Sequence, residues 1–388
     1  MKRTLALLAL IILPGSVGAC LWDTDTLAAE AKGFPEVIQV ITGRFERNPP
    51  YYYEMRLQRA TADIAKNPDN WEAYDDAGVA CDWLGRGDEA IAWMGKKRER
   101  IDKADASNPR VKKHRYRYLA NVGTFWAHRW FRQGANRERI DEMKTAREFT
   151  KKAIKLNPDA HFGREKYQLL AMEWIITPPK FDPTDNRLPS FLEASELSVT
   201  PADAVRGLSG LIVLGAGWQS IDVYYALARA LYDQHKSGVA YIAYLRCAEL
   251  IDQGRRSLQP GVPTGEALKK LLGGSDKWRW MRYQNDLRED EQAFRQHRAE
   301  ADRWHAERTR YMMTRLLEGR HPDTDSTFWD DYQDAGPPPL PESTLETMIR
   351  IWPWILLSAA VLILTFLALV VLVLVRVQRR RRREFARP

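Results

Sequence analysis

Twenty-five consecutive residues from Ile351 to Val375, IWPWILLSAAVLILTFLALVVLVLV, carry no charged side chain. A helix of that length rises about 37 Å, enough to cross the roughly 30 Å hydrocarbon layer of a bilayer. Ser358 and Thr365 are the only polar interruptions. Trp352 and Trp354 stand at one edge, where amphipathic rings favour the headgroup layer. Arg376, Arg379, Arg380, Arg381, Arg382 and Arg383 stand at the other. Arginines massed on one side of a span are the positive-inside signal. The expectation is therefore a transmembrane helix over 349–375, a basic cytoplasmic tail over 376–388, and a body on the far side of the membrane.

The first residues agree with that orientation. Lys2 and Arg3 precede a short apolar run, Leu5 to Leu13, which Pro14 and Gly15 break before the small residues Gly18 and Ala19. Residues 1–19 read as a secretory signal peptide, which implies a periplasmic body in a bacterial cell. Val17-Gly18-Ala19-Cys20 also resembles a lipobox, with Val17 where leucine is usual. Cys20 is either a lipidation site or an ordinary thiol.

The formal charge of +8 suggests a nucleic-acid partner until its location is considered. The tail from Arg376 onward contributes +6, and Lys2 with Arg3 the remaining +2. The body is close to neutral and offers no basic field for DNA or RNA. Its other cysteines, Cys81 and Cys247, lie in apolar helical patterns. They read as buried thiols rather than a disulfide, although an exported body would permit pairing.

After an N-terminal segment over 20–50, the body becomes helical and repetitive. In WEAYDDAGVACDWLGRGDEAIAWMGKK, Tyr74, Ala77-Gly78, Cys81, Gly85, Ala90 and Met94 fall at positions 4, 7–8, 11, 15, 20 and 24 of a 34-residue period. Small residues at 77–78 and 90 let paired helices approach closely, and Tyr74 and Met94 fill the neighbouring gaps. Leu119, Val122-Gly123 and Trp126, followed by Ala146, Ala153 and Pro158, repeat the scheme with an insertion. HFGREKYQLLAMEWI starts a weaker third unit.

This pattern resembles the tetratricopeptide repeat (TPR), and the chain is similar to exported, membrane-anchored bacterial TPR proteins as a class. The resemblance implies an all-α, TPR-like solenoid over 51–176. A linker over 177–200 follows, with further TPR-like helices over 201–274. TPR arrays bind other proteins or peptides and imply no particular chemistry. In the family the first-helix positions 2, 5, 9 and 12 line the binding groove. Here they correspond to Glu72, Asp75, Val79 and Asp82, then Arg117, Ala120, Thr124 and Ala127. Three carboxylates on one face would favour a basic or neutral partner segment.

Three stretches invite catalytic readings. Asp23-Thr24-Asp25-Thr26 matches the D-x-D-x-T of haloacid-dehalogenase phosphatases, but a removable signal precedes it where a buried strand is required. Leu211 to Gly217, LIVLGAG, resembles the strand and glycine turn of a dinucleotide fold, with Gly215 and Gly217 as candidate nucleotide contacts. Ser220 replaces the third glycine and no further βα units follow, so a helix is the better expectation there. His297 and His305 lie eight residues apart with no third ligand, which does not make a zinc helix. The expected protein is not an enzyme and needs no cofactor or metal.

From Ser275 to Glu318 no glycine or proline occurs. Trp280, Leu287, Phe294 and Ala301 recur every seven residues, as do His297, Trp304 and Tyr311. That spacing predicts a long amphipathic helix over 275–319, ended by Gly319. The remaining stretch, 320–348, contains Pro337 to Pro339 and Pro341 and reads as a stiff spacer. Asp323-Thr324-Asp325 within it echoes residues 23–25, as two local turns or a shared cation site. The sequence as a whole predicts a membrane-anchored extracytoplasmic adaptor or scaffold, with a nucleotide-binding enzyme using the Gly215/Gly217 turn or an oligomerising membrane module as the alternatives.

Overall fold

The computed structural model describes residues 36–158, 164–184, 188–193, 200–275, 284–338 and 344–384. The expected signal peptide, Cys20 and the motif at 23–26 lie outside the described residues. The chain forms two units, residues 1–338 and 339–388.

The described residues hold thirteen α-helices and no strand. In the first unit these are α1 (Val37–Thr42), α2 (Pro50–Lys66), α3 (Trp71–Trp83), α4 (Gly87–Lys103), α5 (Pro109–Arg132) and α6 (Ile140–Leu156). They continue with α7 (Arg164–Ile176), α8 (Pro201–Val213), α9 (Ile221–Asp233), α10 (Ser237–Asp252), α11 (Glu266–Ser275) and α12 (Gln284–Leu317). From α2 to α11, each helix packs against the next, so the body is a chain of helical hairpins.

Local chemistry sets the starts of these helices. Pro109 and Pro201 occupy first-turn positions that need no N–H donor, directly after the caps Asn108 and Thr200. The Asn108 side chain accepts from the Arg110 N–H at 2.9 Å, and Ser220 accepts from Val223 at 3.3 Å to open α9. Close packing requires glycine on the facing sides. A Cβ on Gly123 would lie 2.7 Å from Thr150 Oγ1 and 3.1 Å from the Ala146 carbonyl oxygen, where α5 meets α6. At Gly78 it would lie 2.8 Å from Met94 Cε, where α3 meets α4.

Helix α12 crosses from α10 over α1 to α2, so the end of the array is tied back to its beginning. Of its heptad stripe, Phe294, His297, Ala301 and Trp304 are buried and Leu287 and Tyr311 partly so, while Trp280 lies outside the described residues. Polar bonds run along its length. Glu291 accepts from Tyr241 Oη (3.0 Å), Arg298 donates to Glu249 (3.1 Å) and to the Thr42 carbonyl (2.9 Å), and Glu300 accepts from Arg44 (3.1 Å). The helix stops where expected, with Gly319 at φ 81°.

The spacer expectation for 320–348 needs correction. Phe328 and His321 are buried, and Phe328 packs with Tyr52, Tyr53, Met312 and Leu316. Asp323 is gripped by Arg56 (2.7 Å), Arg59 and Tyr52 Oη (2.9 Å), which joins this loop to α2. Arg44 bonds the Ala335 carbonyl as well. Aromatic and acidic side chains in a proline-rich stretch have supplied enough burial to fold it into the body. Of the two acids expected to make a local turn here, only Asp325 does so, accepting from Thr327 N at 3.0 Å and pairing with Arg320 at 2.5 Å, whereas Asp323 is held in the ion pairs to α2.

The second unit contains α13 (Thr344–Glu384), with Pro353 inside it. Its segment Ile351–Arg379 is long and apolar enough to cross a membrane, and none of it is buried. Side chains such as Leu362, Phe366 and Leu369 are all more than half exposed, a long apolar surface of the kind that marks an interaction or membrane site.

Candidate ligand cavity

Of the groove positions expected on α3 and α5, only Glu72 keeps substantial exposure. It pairs with Arg110 (2.8 Å) and lies 2.9 Å from His114 Nε2, whose hydrogen bond holds its carboxyl well below the usual range. Asp75 is 1% exposed and accepts from Lys97 Nζ at 2.5 Å and from Asn121 Nδ2 at 3.2 Å. Lys97 descends from α4 with no exposure, and burial lowers its pKa against the pull of Asp75. Arg117 is buried beside the same pair, 3.8 Å from Asp75. The expected acidic face is therefore corrected, because Asp75 and Arg117 belong to an internal charge network spanning α3, α4 and α5.

Asp82 is different. It is equally buried, but it reaches the wall of a cavity of about 850 Å³. Burial would raise its pKa, and the charges and hydrogen bonds of His128 (2.6 Å) and Arg132 (2.7 Å) overcome that and lower it. Thr124 lines the same cavity and accepts from Gln168 Nε2 of α7 at 3.2 Å. Glu72, Asp75 and Arg117 do not line it.

The rest of the wall comes from α7, from residues 211–223 and from the turn after α10. The glycine motif sits here, and its expected structure is helical as the sequence reading preferred. Leu211 to Val213 end α8, and Ala216–Gln219 form a 3₁₀ turn. A Cβ on Gly217 would lie 2.7 Å from the Leu211 carbonyl oxygen, so glycine allows the chain to fold back over the helix end. Without a strand ahead of it, this turn loses the context that a dinucleotide site requires. It delivers Trp218 to the wall, stacked between the guanidinium groups of Arg47 (4.0 Å) and Arg246 (4.4 Å).

The charge balance of the wall is basic. Arg47, Arg132, Arg164, Arg255 and Arg256 line it, against the acids Asp82 and Asp222. Asp222 has both oxygens engaged, one by Ser257 Oγ (2.6 Å) and one by the Leu258 N–H (2.9 Å). Burial still pushes its pKa up to about 6. Arg47 is lowered to about 10, by burial first and then by Arg298. Arg164, 3% exposed at the start of α7, lies with its methylene stem against Gly210 of α8. Its Nε and Nη1 find no hydrogen-bond partner among the described residues, and neither does Trp174 Nε1 in the same wall. A buried guanidinium without a counter-charge costs on the order of several kcal/mol.

The sequence reading found Asp82, Thr124, Gly215 and Gly217 but none of the arginines. They come from four separated segments, and only the Arg255-Arg256 doublet after Gly254 is visible as a local signal. The arginines expected to set the topology fall on α13, where Arg376 and Arg379 are exposed and Arg380 to Arg383 lie within the helix. Cys81 and Cys247 are buried free thiols, with Cys81 pushed up to about 11 by burial. No family model matches the chain, and no curated protein or solved structure matches it either.

Proposed function

We propose that this protein is a membrane-anchored adaptor or scaffold, with a TPR-like body that binds a segment of another protein in the cavity. The observation that carries the reading is the shared wall: α3, α5 and α7, the first helices of successive hairpins, all contribute to one cavity. Repeated hairpins that aim equivalent positions at one surface are the usual architecture for holding an extended or helical peptide. The sequence period supports the TPR assignment. In α9 and α10, Tyr224, Leu227, Ala228, Leu231, Ala240 and Cys247 occupy positions 4, 7, 8, 11, 20 and 27, and all are fully buried.

The anchor is α13, with its body extracytoplasmic and its arginines in the cytoplasm. The unburied apolar segment and the one-sided arginine block support that orientation. Protease added to spheroplasts should degrade the body and leave a small membrane-bound fragment carrying the C-terminus. Full protection of the body would place it in the cytoplasm and overturn the topology. Cys20 is a second candidate anchor: labelled fatty acid should enter the wild type and not Cys20→Ala.

A further inference from the structure

We propose that the cavity takes an acidic peptide segment, its carboxylates seated against Arg164 and Trp174. The inference deepens the adaptor reading and rests on it. Its basis is an imbalance between donors and acceptors. Three side chains of the wall have donors without partners among the described residues: Arg47 Nε, Arg164 Nε and Nη1, and Trp174 Nε1. The two acids of the wall have both oxygens bonded inside the protein. A basic ligand would find no free carboxylate, whereas an acidic one would meet unpaired donors in a low-dielectric wall.

Arg164 is the key group. It is more than nine-tenths buried, and its Nε and Nη1 have no hydrogen-bond partner among the described residues. A carboxylate can accept two parallel hydrogen bonds from a guanidinium. Aromatic rings of Trp83, Phe131, Trp174 and Trp218 also line the cavity, so apolar side chains between the acids would be accommodated. A volume of about 850 Å³ suits several side chains of a peptide rather than one small ion.

The full chain in detergent micelles should be titrated with a fluorescent peptide alternating Glu and Leu. Its Lys-Leu counterpart and inorganic phosphate serve as comparisons. The Glu-Leu peptide should bind at least tenfold more tightly than the Lys-Leu peptide at low salt, with the preference narrowing as salt rises. Arg164→Gln should weaken Glu-Leu binding at least tenfold and raise the melting temperature, because it removes an unpaired buried charge. A purely structural arginine would lower the melting temperature instead. Trp174→Phe keeps the ring and removes the N–H, and should weaken binding severalfold. Arg110→Gln, at the exposed pair with Glu72, should leave binding unchanged.

Equal or tighter binding of the Lys-Leu peptide would overturn the proposal while leaving a peptide-binding body intact. Unchanged affinity in folded Arg164→Gln or Trp174→Phe would overturn it as well. Phosphate binding without peptide binding would reduce the site to one for a small anion and defeat both the proposal and the adaptor reading of the cavity.

Discussion

Lys97 has no solvent exposure, and Asp75 at 2.5 Å is its counter-charge. Removing one member of such a pair leaves the other charged and dry, which typically costs about 3–5 kcal/mol. Asp75→Ala should lose stability on that scale in urea unfolding. Asp75→Leu combined with Lys97→Met should recover most of it, since an apolar pair of similar volume needs no compensation. Recovery no better than additive would mean that Asn121 and Arg117, not Lys97, depend on Asp75. Asp222 gives a pH signature of its own. Its folded pKa of about 6 is above the ordinary 3.8, so the folded state favours the protonated acid. Its contribution is therefore complete below about pH 4 and is lost as pH rises through 6. Melting temperatures of wild type and Asp222→Asn, followed from pH 4 to 7, should show wild type losing ground steadily. A constant difference would contradict the assignment.

At the scale of elements, two helical glycines predict opposite outcomes from the same substitution. Gly95 on α4 has open space around a built Cβ, so Gly95→Ala should stabilise by about 0.5–1 kcal/mol through its effect on the unfolded chain. Gly123 faces Thr150 and the Ala146 carbonyl across the α5–α6 contact, so Gly123→Ala should destabilise by about 1–3 kcal/mol. Denaturant midpoints of the two variants check both signs, and equal signs would refute the packing account. This contact was legible in the sequence because a 34-residue period carries small residues at matching places. The stripe on α12 was legible for a similar reason, since a heptad repeat states which face is covered. What covers it was not legible: Arg298, Glu300 and Trp304 meet partners more than 29 residues away, on α10, just after α1 and in the 321–335 loop. The folding of that loop was hidden too, because Pro337 to Pro339 dominate its composition while Phe328 and Asp323 provide the contacts.

For the whole molecule, the body and α13 are separate units, and the account assigns them separate tasks. In the proposed function the apolar helix, long enough to cross a membrane, is the anchor, and the hairpin array offers the cavity. Three carboxylates read along α3 suggested a basic or neutral partner, because a helical face in sequence does not disclose its pairings. Lys97, His128 and Arg132 engage Asp75 and Asp82 from other helices, and arginines from α7 and the turn after α10 then set the character of the wall. The central claim is that this cavity holds another protein. A photo-crosslinking phenylalanine derivative at Trp83, an exposed aromatic position of the wall, tests it in intact cells, with Lys151 on α6 as a position outside the wall. The account predicts one discrete crosslinked product from position 83, its loss in the Arg164→Gln background, and none from position 151. Equal labelling from both positions, or a product at 83 indifferent to Arg164, would contradict it.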